Sequence, residues 1–116
     1  MQNTATDNRS ETIAFLNDSF RKSPTQQLGR LMMTYGVSEM DVLDRLKVMA
    51  LVKDFSDFTP DNDPYGEHDF GSFEYKGDKF FWKIDYYDAN YEYGSPDPAN
   101  TEVTRRVLTV MFASEY

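Results

Sequence analysis

The sequence predicts an α+β domain: a mainly antiparallel sheet of about four strands with two helices packed on one face. Three observations lead there. Apolar residues recur at helical spacing in two stretches before residue 60. Aromatic and β-branched residues alternate with period two after it. A chain of 116 residues with 40% hydrophobic content has room for one core.

Taken in order, residues 1–9 read as a polar, flexible tail, and residues 10–116 as a single domain. Ser10 is placed to cap a helix in which Ile13, Leu16 and Phe20 share a face, and Ser23-Pro24 ends it. From Arg30 to Val37 the alternation of Leu31, Met33, Tyr35 and Val37 predicts a half-buried strand, with Gly36 marking a bulge or its end. Ser38 with Asp41 resembles a capping box. The helix that follows, about Glu39 to Lys53, would bury Met40, Leu43, Leu46 and Ala50, leaving Asp44, Arg45 and Lys47 outside. Phe55 and Phe58 read as anchors tying its exit to the core.

A loop rich in Pro, Asp and Gly runs from Thr59 to Gly71. Ser72 to Tyr75 and Lys79 to Asp88 then form a hairpin across Lys76-Gly77-Asp78. On its second strand Phe80, Trp82, Ile84 and Tyr86 share an apolar face, opposite a mixed face of Phe81, Lys83, Asp85 and Tyr87. After the loop Gly94-Ser95-Pro96-Asp97-Pro98, the segment Val103 to Ala113 fits helix or strand. Its Val, Thr and Phe content and the alternation of Leu108, Val110 and Phe112 favour strand.

Composition excludes several chemistries. Without cysteine there is no disulfide framework, thiol nucleophile or Cys-ligated metal. A single histidine removes multi-His metal sites. The longest apolar run, Val48 to Val52, is far short of the roughly 20 residues of a membrane span, and the N-terminus has no signal-peptide pattern. A cytoplasmic protein is the expectation.

Charge is distributed unevenly. The net charge is −8, and residues 61–100 hold ten acids against three lysines, which is −7 of it. The same segment holds eleven of the eighteen aromatic residues. Such a surface repels phosphate backbones and anionic lipid, so direct nucleic-acid or membrane binding is disfavoured and a basic protein or nucleoprotein complex is the expected partner. Solubility alone also accounts for acidity of this kind.

The stretches Asp57-Phe58-Thr59-Pro60-Asp61-Asn62-Asp63-Pro64-Tyr65-Gly66-Glu67-His68-Asp69-Phe70-Gly71, Phe81-Trp82-Lys83-Ile84-Asp85-Tyr86-Tyr87-Asp88, Gly94-Ser95-Pro96-Asp97-Pro98 and Arg106-Val107-Leu108-Thr109-Val110-Met111 are distinctive. Together they resemble an uncharacterised family of small alphaproteobacterial and plasmid-borne proteins, over roughly residues 13–116. The resemblance implies a shared single-domain fold and a bacterial origin. It carries no activity across. Its association with plasmids implies a role on mobile elements.

Several motifs each have a plainer role beside the chemical one. Asp61, Asp63 and Asp69 stand at positions 1, 3 and 9 of an EF-hand-like loop with Gly66 at position 6. Tyr65 and Ser72 fail positions 5 and 12, and turn chemistry explains the loop as well. Glu67-His68-Asp69 suggests acid–base chemistry, but no nucleophile accompanies it, and a histidine pinning the loop to the sheet is the plainer reading. The glycines and lysines of Gly71 to Lys79 lack phosphate-loop spacing. Arg105-Arg106 reads as a pair of strand-end charges in ion pairs.

The expected function is a non-enzymatic acidic protein-binding module that uses no metal or cofactor. Its binding residues would be Asp61, Asp63, Glu67, Asp85, Tyr87, Asp88, Tyr91, Glu92 and Tyr93. The sharpest version is a nucleic-acid mimic that inhibits a basic defence protein and is encoded on a mobile element. The alternatives are a metal-dependent enzyme or metal-binding domain built on Asp61, Asp63, Glu67, His68 and Asp69, and an antitoxin-like stabilising partner. A tail or second layer covering the mixed sheet face would argue against recognition there.

Overall fold

The computed structural model describes residues 4–116, with side chains from Arg9 onward. Helix α1 spans Thr4–Lys22, strand β1 Gly29–Met33, the short helix α2 Tyr35–Ser38 and helix α3 Val42–Asp54. Strands β2 (Phe70–Tyr75), β3 (Asp78–Tyr87) and β4 (Arg105–Phe112) follow, and a 3-10 turn over Ala113–Glu115 closes the chain. The sheet order is β1-β4-β3-β2. β2–β3 and β3–β4 pair antiparallel, while β1 lies parallel to β4. The α+β class and the mainly antiparallel sheet are as the sequence predicts.

The alternation along β3 is realised. Phe80, Trp82 and Ile84 are buried, and Trp82 and Ile84 lie in register with buried Val110 and Leu108 on β4. Phe20 from α1, Val37 from α2, and Val48, Met49 and Val52 from α3 complete the core on that face. Phe55 and Phe58 anchor the exit of α3 as expected, each meeting Trp82 edge-on, at centroid distances of 5.5 and 6.2 Å.

Several boundaries and faces differ from expectation. α1 begins at Thr4, six residues before Ser10, and residues 1–3 of the expected tail lie outside the described residues. The strand expected from Arg30 to Val37 ends at Met33; Tyr35 to Ser38 turn as a helix that buries Val37 completely. A carboxylate makes that turn: Glu115 accepts hydrogen bonds from the Thr34 hydroxyl and the Gly36 and Phe112 amides, at 2.5, 2.8 and 2.9 Å. The cap of α3 is Asp41, which accepts from the Leu43 amide, and not Ser38.

The buried stripe of α3 is also not the expected one. Leu43 and Leu46 are 67% and 59% exposed, and Val48, Met49 and Val52 face the sheet. Two polar side chains hold this rotation. Asp44 accepts from the Tyr75 hydroxyl at 2.8 Å and pairs with Lys76 at 3.0 Å, at the β2–β3 turn. Arg45 donates to the Ser38 and Met40 carbonyls. That hairpin turn is the two residues Lys76 and Gly77, with φ of 51° and 83°, the geometry that matches strand twist.

Gly71 sits directly beneath the indole of Trp82; an added Cβ would lie 2.3 Å from Nε1. Gly71→Ala is therefore expected to cost about 1–3 kcal/mol by overpacking the contact between β2 and the Trp82 indole. Urea unfolding checks this, and an unchanged midpoint would show that β2 has slack at this point.

Candidate functional site

The acids of residues 61–100 divide by what they touch. Asp63 accepts the His68 amide at 3.2 Å, and Glu67 accepts the Tyr86 hydroxyl at 2.9 Å. Asp88 accepts the amides of Asn90 and Glu92, which holds its carboxyl below the usual carboxylate range. Asp97 pairs with Arg9 and accepts the Ala99 amide, and Asp85 pairs with Lys83 at 3.0 Å. Asp61, Glu74, Asp78 and Glu92 are exposed, and their side chains make no ion pair or hydrogen bond among the described residues. The acids do not form one patch. Glu74 and Asp78 lie at the hairpin end of β3, while Asp88 and Glu92 lie past its other end, about 33 Å away at strand rise.

The loop between α3 and β2 is fixed by His68. Its ring stacks on Phe58 at a centroid distance of 3.9 Å and is parallel to it within 1°. Nδ1 lies 3.0 Å from both Asp18 carboxylate oxygens, and Nε2 lies 3.6 Å from Asp63. His68 thus pins the loop to α1 rather than to the sheet. Among the described residues, no three His, Asp or Glu side chains converge closely enough to hold a metal ion. Asp63 and Glu67 are instead committed to His68 and Tyr86.

The sheet face away from the helices carries Phe81, Lys83, Asp85, Tyr87, Arg30, Met32, Val107 and Thr109, placed there by register. Its hairpin side is partly covered by the chain's own end: Tyr116 meets Phe81 edge-on at 5.6 Å and Phe70 at 6.4 Å. The side nearer β1 stays open. There the chain turns over 88–93, with the Asp88 amide donating to the Tyr93 carbonyl at 2.8 Å and Tyr87 bridged to Gly94. This turn holds Tyr91 at φ 59°, a conformation rare for a bulky residue. The Arg30 guanidinium lies 3.8 Å over the Tyr91 ring. Tyr93 is 74% exposed. Of the expected binding residues, Asp85, Tyr87, Asp88, Tyr91, Glu92 and Tyr93 thus lie on or beside this open face. Asp61, Asp63 and Glu67 lie on the loop that packs on α1.

The least expected residues are two buried arginines. Arg106 is 2% exposed and makes no ion pair among the described residues, contrary to the strand-end pairing expected of it. Its position on β4 points it at α1, where Nε donates to Asn17 at 2.6 Å and another nitrogen donates to the Pro98 carbonyl at 2.7 Å. Its guanidinium lies 5.2 Å from the Tyr86 ring. Asn17 in turn donates to the Tyr86 hydroxyl and the Glu67 carbonyl. Arg105 donates to the carbonyls of Thr101 and Thr104, also without a carboxylate partner among the described residues. Arg21, 1% exposed, donates to the Val52 and Phe55 carbonyls, pairs with Asp18 at 3.1 Å and lies 4.6 Å over Trp82. Burial lowers the pKa of both Arg21 and Arg106, and it raises that of Tyr86, whose phenol stays protonated.

These features define a small α+β domain with a helix-covered sheet face, an open tyrosine-bearing face and a structurally committed histidine. The family model for proteins of unknown function (DUF3768) matches residues 33–115, and the chain belongs to that family. No curated protein and no solved structure matches the chain. Among the described residues, no helix is long and apolar enough to cross a membrane.

Asp69 offers a check on the acidic cluster. Burial, with Glu67, Asp63 and Asp85 nearby, raises its pKa above the ordinary carboxylate value. A folded-state pKa above the unfolded one contributes stability in acid that is lost as pH rises through the raised value. Asp69→Asn should therefore raise the melting temperature at pH 7, and the gain should vanish below about pH 3.5. Equal melting temperatures at pH 7 would contradict this picture of the loop.

Proposed function

We propose that the protein is a non-enzymatic binding module that engages a basic protein. In its sharpest form it is a nucleic-acid-mimicking inhibitor of a basic nucleic-acid-binding defence protein, encoded on a mobile element. The observation that carries this reading is the −7 confined to residues 61–100, with exposed, unpaired acids toward both ends of β3. Tyr87 and Tyr93 add exposed rings, the residue type that dominates binding hot spots. Asp63, Glu67 and Asp88 serve the fold first, so Asp61, Glu74, Asp78 and Glu92 are the charges through which a partner would be felt.

Such binding falls steeply with salt and competes with duplex DNA. A host protein captured on the immobilised domain should be released by duplex DNA and by raising salt from about 0.1 M to 0.5 M. The Asp61→Lys/Glu92→Lys variant should lose capture while keeping its melting temperature. A partner retained at high salt and by this variant would exclude mimicry.

The exposed apolar side of α3, with Val42, Leu43 and Leu46, favours a second reading as the stabilising partner of another subunit. A stoichiometric protein that co-purifies and is lost on Leu43→Glu/Leu46→Glu would support that reading over mimicry.

A further inference from the structure

The open sheet face holds two shallow concavities that meet at Arg30 and Tyr91. One, of about 260 Å³, is lined by Arg30, Met32, Tyr87, Tyr91 and Val107. The other, of about 330 Å³, is lined by Gln26, Gly29, Arg30, Tyr91 and Arg105. They differ in chemistry. The first is aromatic and apolar apart from Arg30. The second carries two guanidiniums and a carboxamide, and no carboxylate lines either one. In a protein of net charge −8, such a spot stands out.

The strand register builds it. Arg30 on β1 lies beside Val107 on β4, and Arg105 pairs with Tyr87 on β3, so both arginines and Tyr87 stand on the same face. Neither Arg30 nor Arg105 pairs with a carboxylate among the described residues; the nearby acid Asp85 is taken by Lys83. Arg105 uses one nitrogen on the Thr101 and Thr104 carbonyls, which orients the guanidinium and leaves its other donors available. Tyr91 is held above Arg30 by the strained turn that Asp88 ties together.

We infer that this is a ligand site for a small organic anion that joins a flat ring to a phosphate, with a mononucleotide as the fitting class. The phosphate would sit between Arg30 and Arg105, where planar guanidiniums bind its oxygens in pairs. The ring would lie against Tyr87 and Met32 in the adjoining lobe. The combined space is of the size that small-ligand sites occupy. The site shares Tyr87 and Tyr91 with the face expected to meet a basic partner, but it relies on arginines and is tested on the protein alone, without a partner.

The test titrates the full chain with adenosine 5′-monophosphate, phenyl phosphate, adenosine and inorganic phosphate, followed by amide and tyrosine ring shifts in NMR. The monophosphate should bind at least about tenfold tighter than adenosine or phosphate alone, moving the signals of Arg30, Tyr91 and Arg105. Phenyl phosphate distinguishes the source of the ring: weaker binding than the nucleotide assigns the site to a nucleobase, and equal or tighter binding overturns the nucleotide assignment. Arg30→Lys and Arg105→Lys keep the charge but lose the fork, and each should weaken binding about fivefold or more with the melting temperature unchanged. Phosphate binding as well as the nucleotide, unchanged affinity in both variants, or no shift at millimolar nucleotide would each overturn the inference.

Discussion

Two guanidinium groups buried between the helices and the sheet organise this domain. A buried charge is tolerated only when its donors are satisfied and an opposite charge lies near. Arg21 meets that demand with two carbonyls at the end of α3, the Asp18 carboxylate and the face of Trp82. Arg106 meets it with Asn17, the Pro98 carbonyl and the ring of Tyr86, whose hydroxyl passes the contact on to Glu67. Each arginine ties the backbone of a neighbouring segment to the core through its carbonyls. Arg21 fixes the exit of α3, and Arg106 fixes both the Glu67 loop and the Pro98 loop against α1.

This arrangement changes what the acidity means. Part of the charge in residues 61–100 is internal: Glu67 completes the surroundings of Arg106, Asp63 holds His68, and Asp88 builds the turn that carries Tyr91. The remainder is free to act at the surface, and it is spread along the hairpin. Acidity that serves the fold and acidity available to a partner therefore coexist in one segment, and only the second kind should respond to charge reversal without loss of stability.

The sequence was most legible where one face of an element is plainly apolar. Phe80, Trp82 and Ile84 alternate with Phe81, Lys83 and Asp85, and the period of two assigned the buried face of β3 correctly. Patterning alone selects the wrong stripe of α3 because both of its sides carry apolar residues. Leu43, Leu46 and Ala50 fall at i, i+3, i+7 while Val48, Met49 and Val52 fall at i, i+1, i+4, both compatible with one helix face, and the choice is made by Asp44 reaching the Tyr75 hydroxyl 31 residues away. The arginines were illegible for a similar reason. The partner of Arg106 is 89 residues distant and the Asp18 partner of His68 is 50, and local patterning is blind to such pairs. The one local signal was alternation: Arg106 shares a strand face with Leu108 and Val110, which places it inside unless the strand has ended.

The most direct test of this organisation is a double-mutant cycle across the shortest buried contact, between Arg106 and Asn17, measured by urea unfolding of the full chain. Arg106→Met and Asn17→Ala should each be strongly destabilising, by about 2–5 kcal/mol, because each leaves a buried polar group without its partner. Combined, they should cost less than their sum by about 1 kcal/mol or more. Costs that add within about 0.5 kcal/mol would contradict the central role given to the buried guanidiniums.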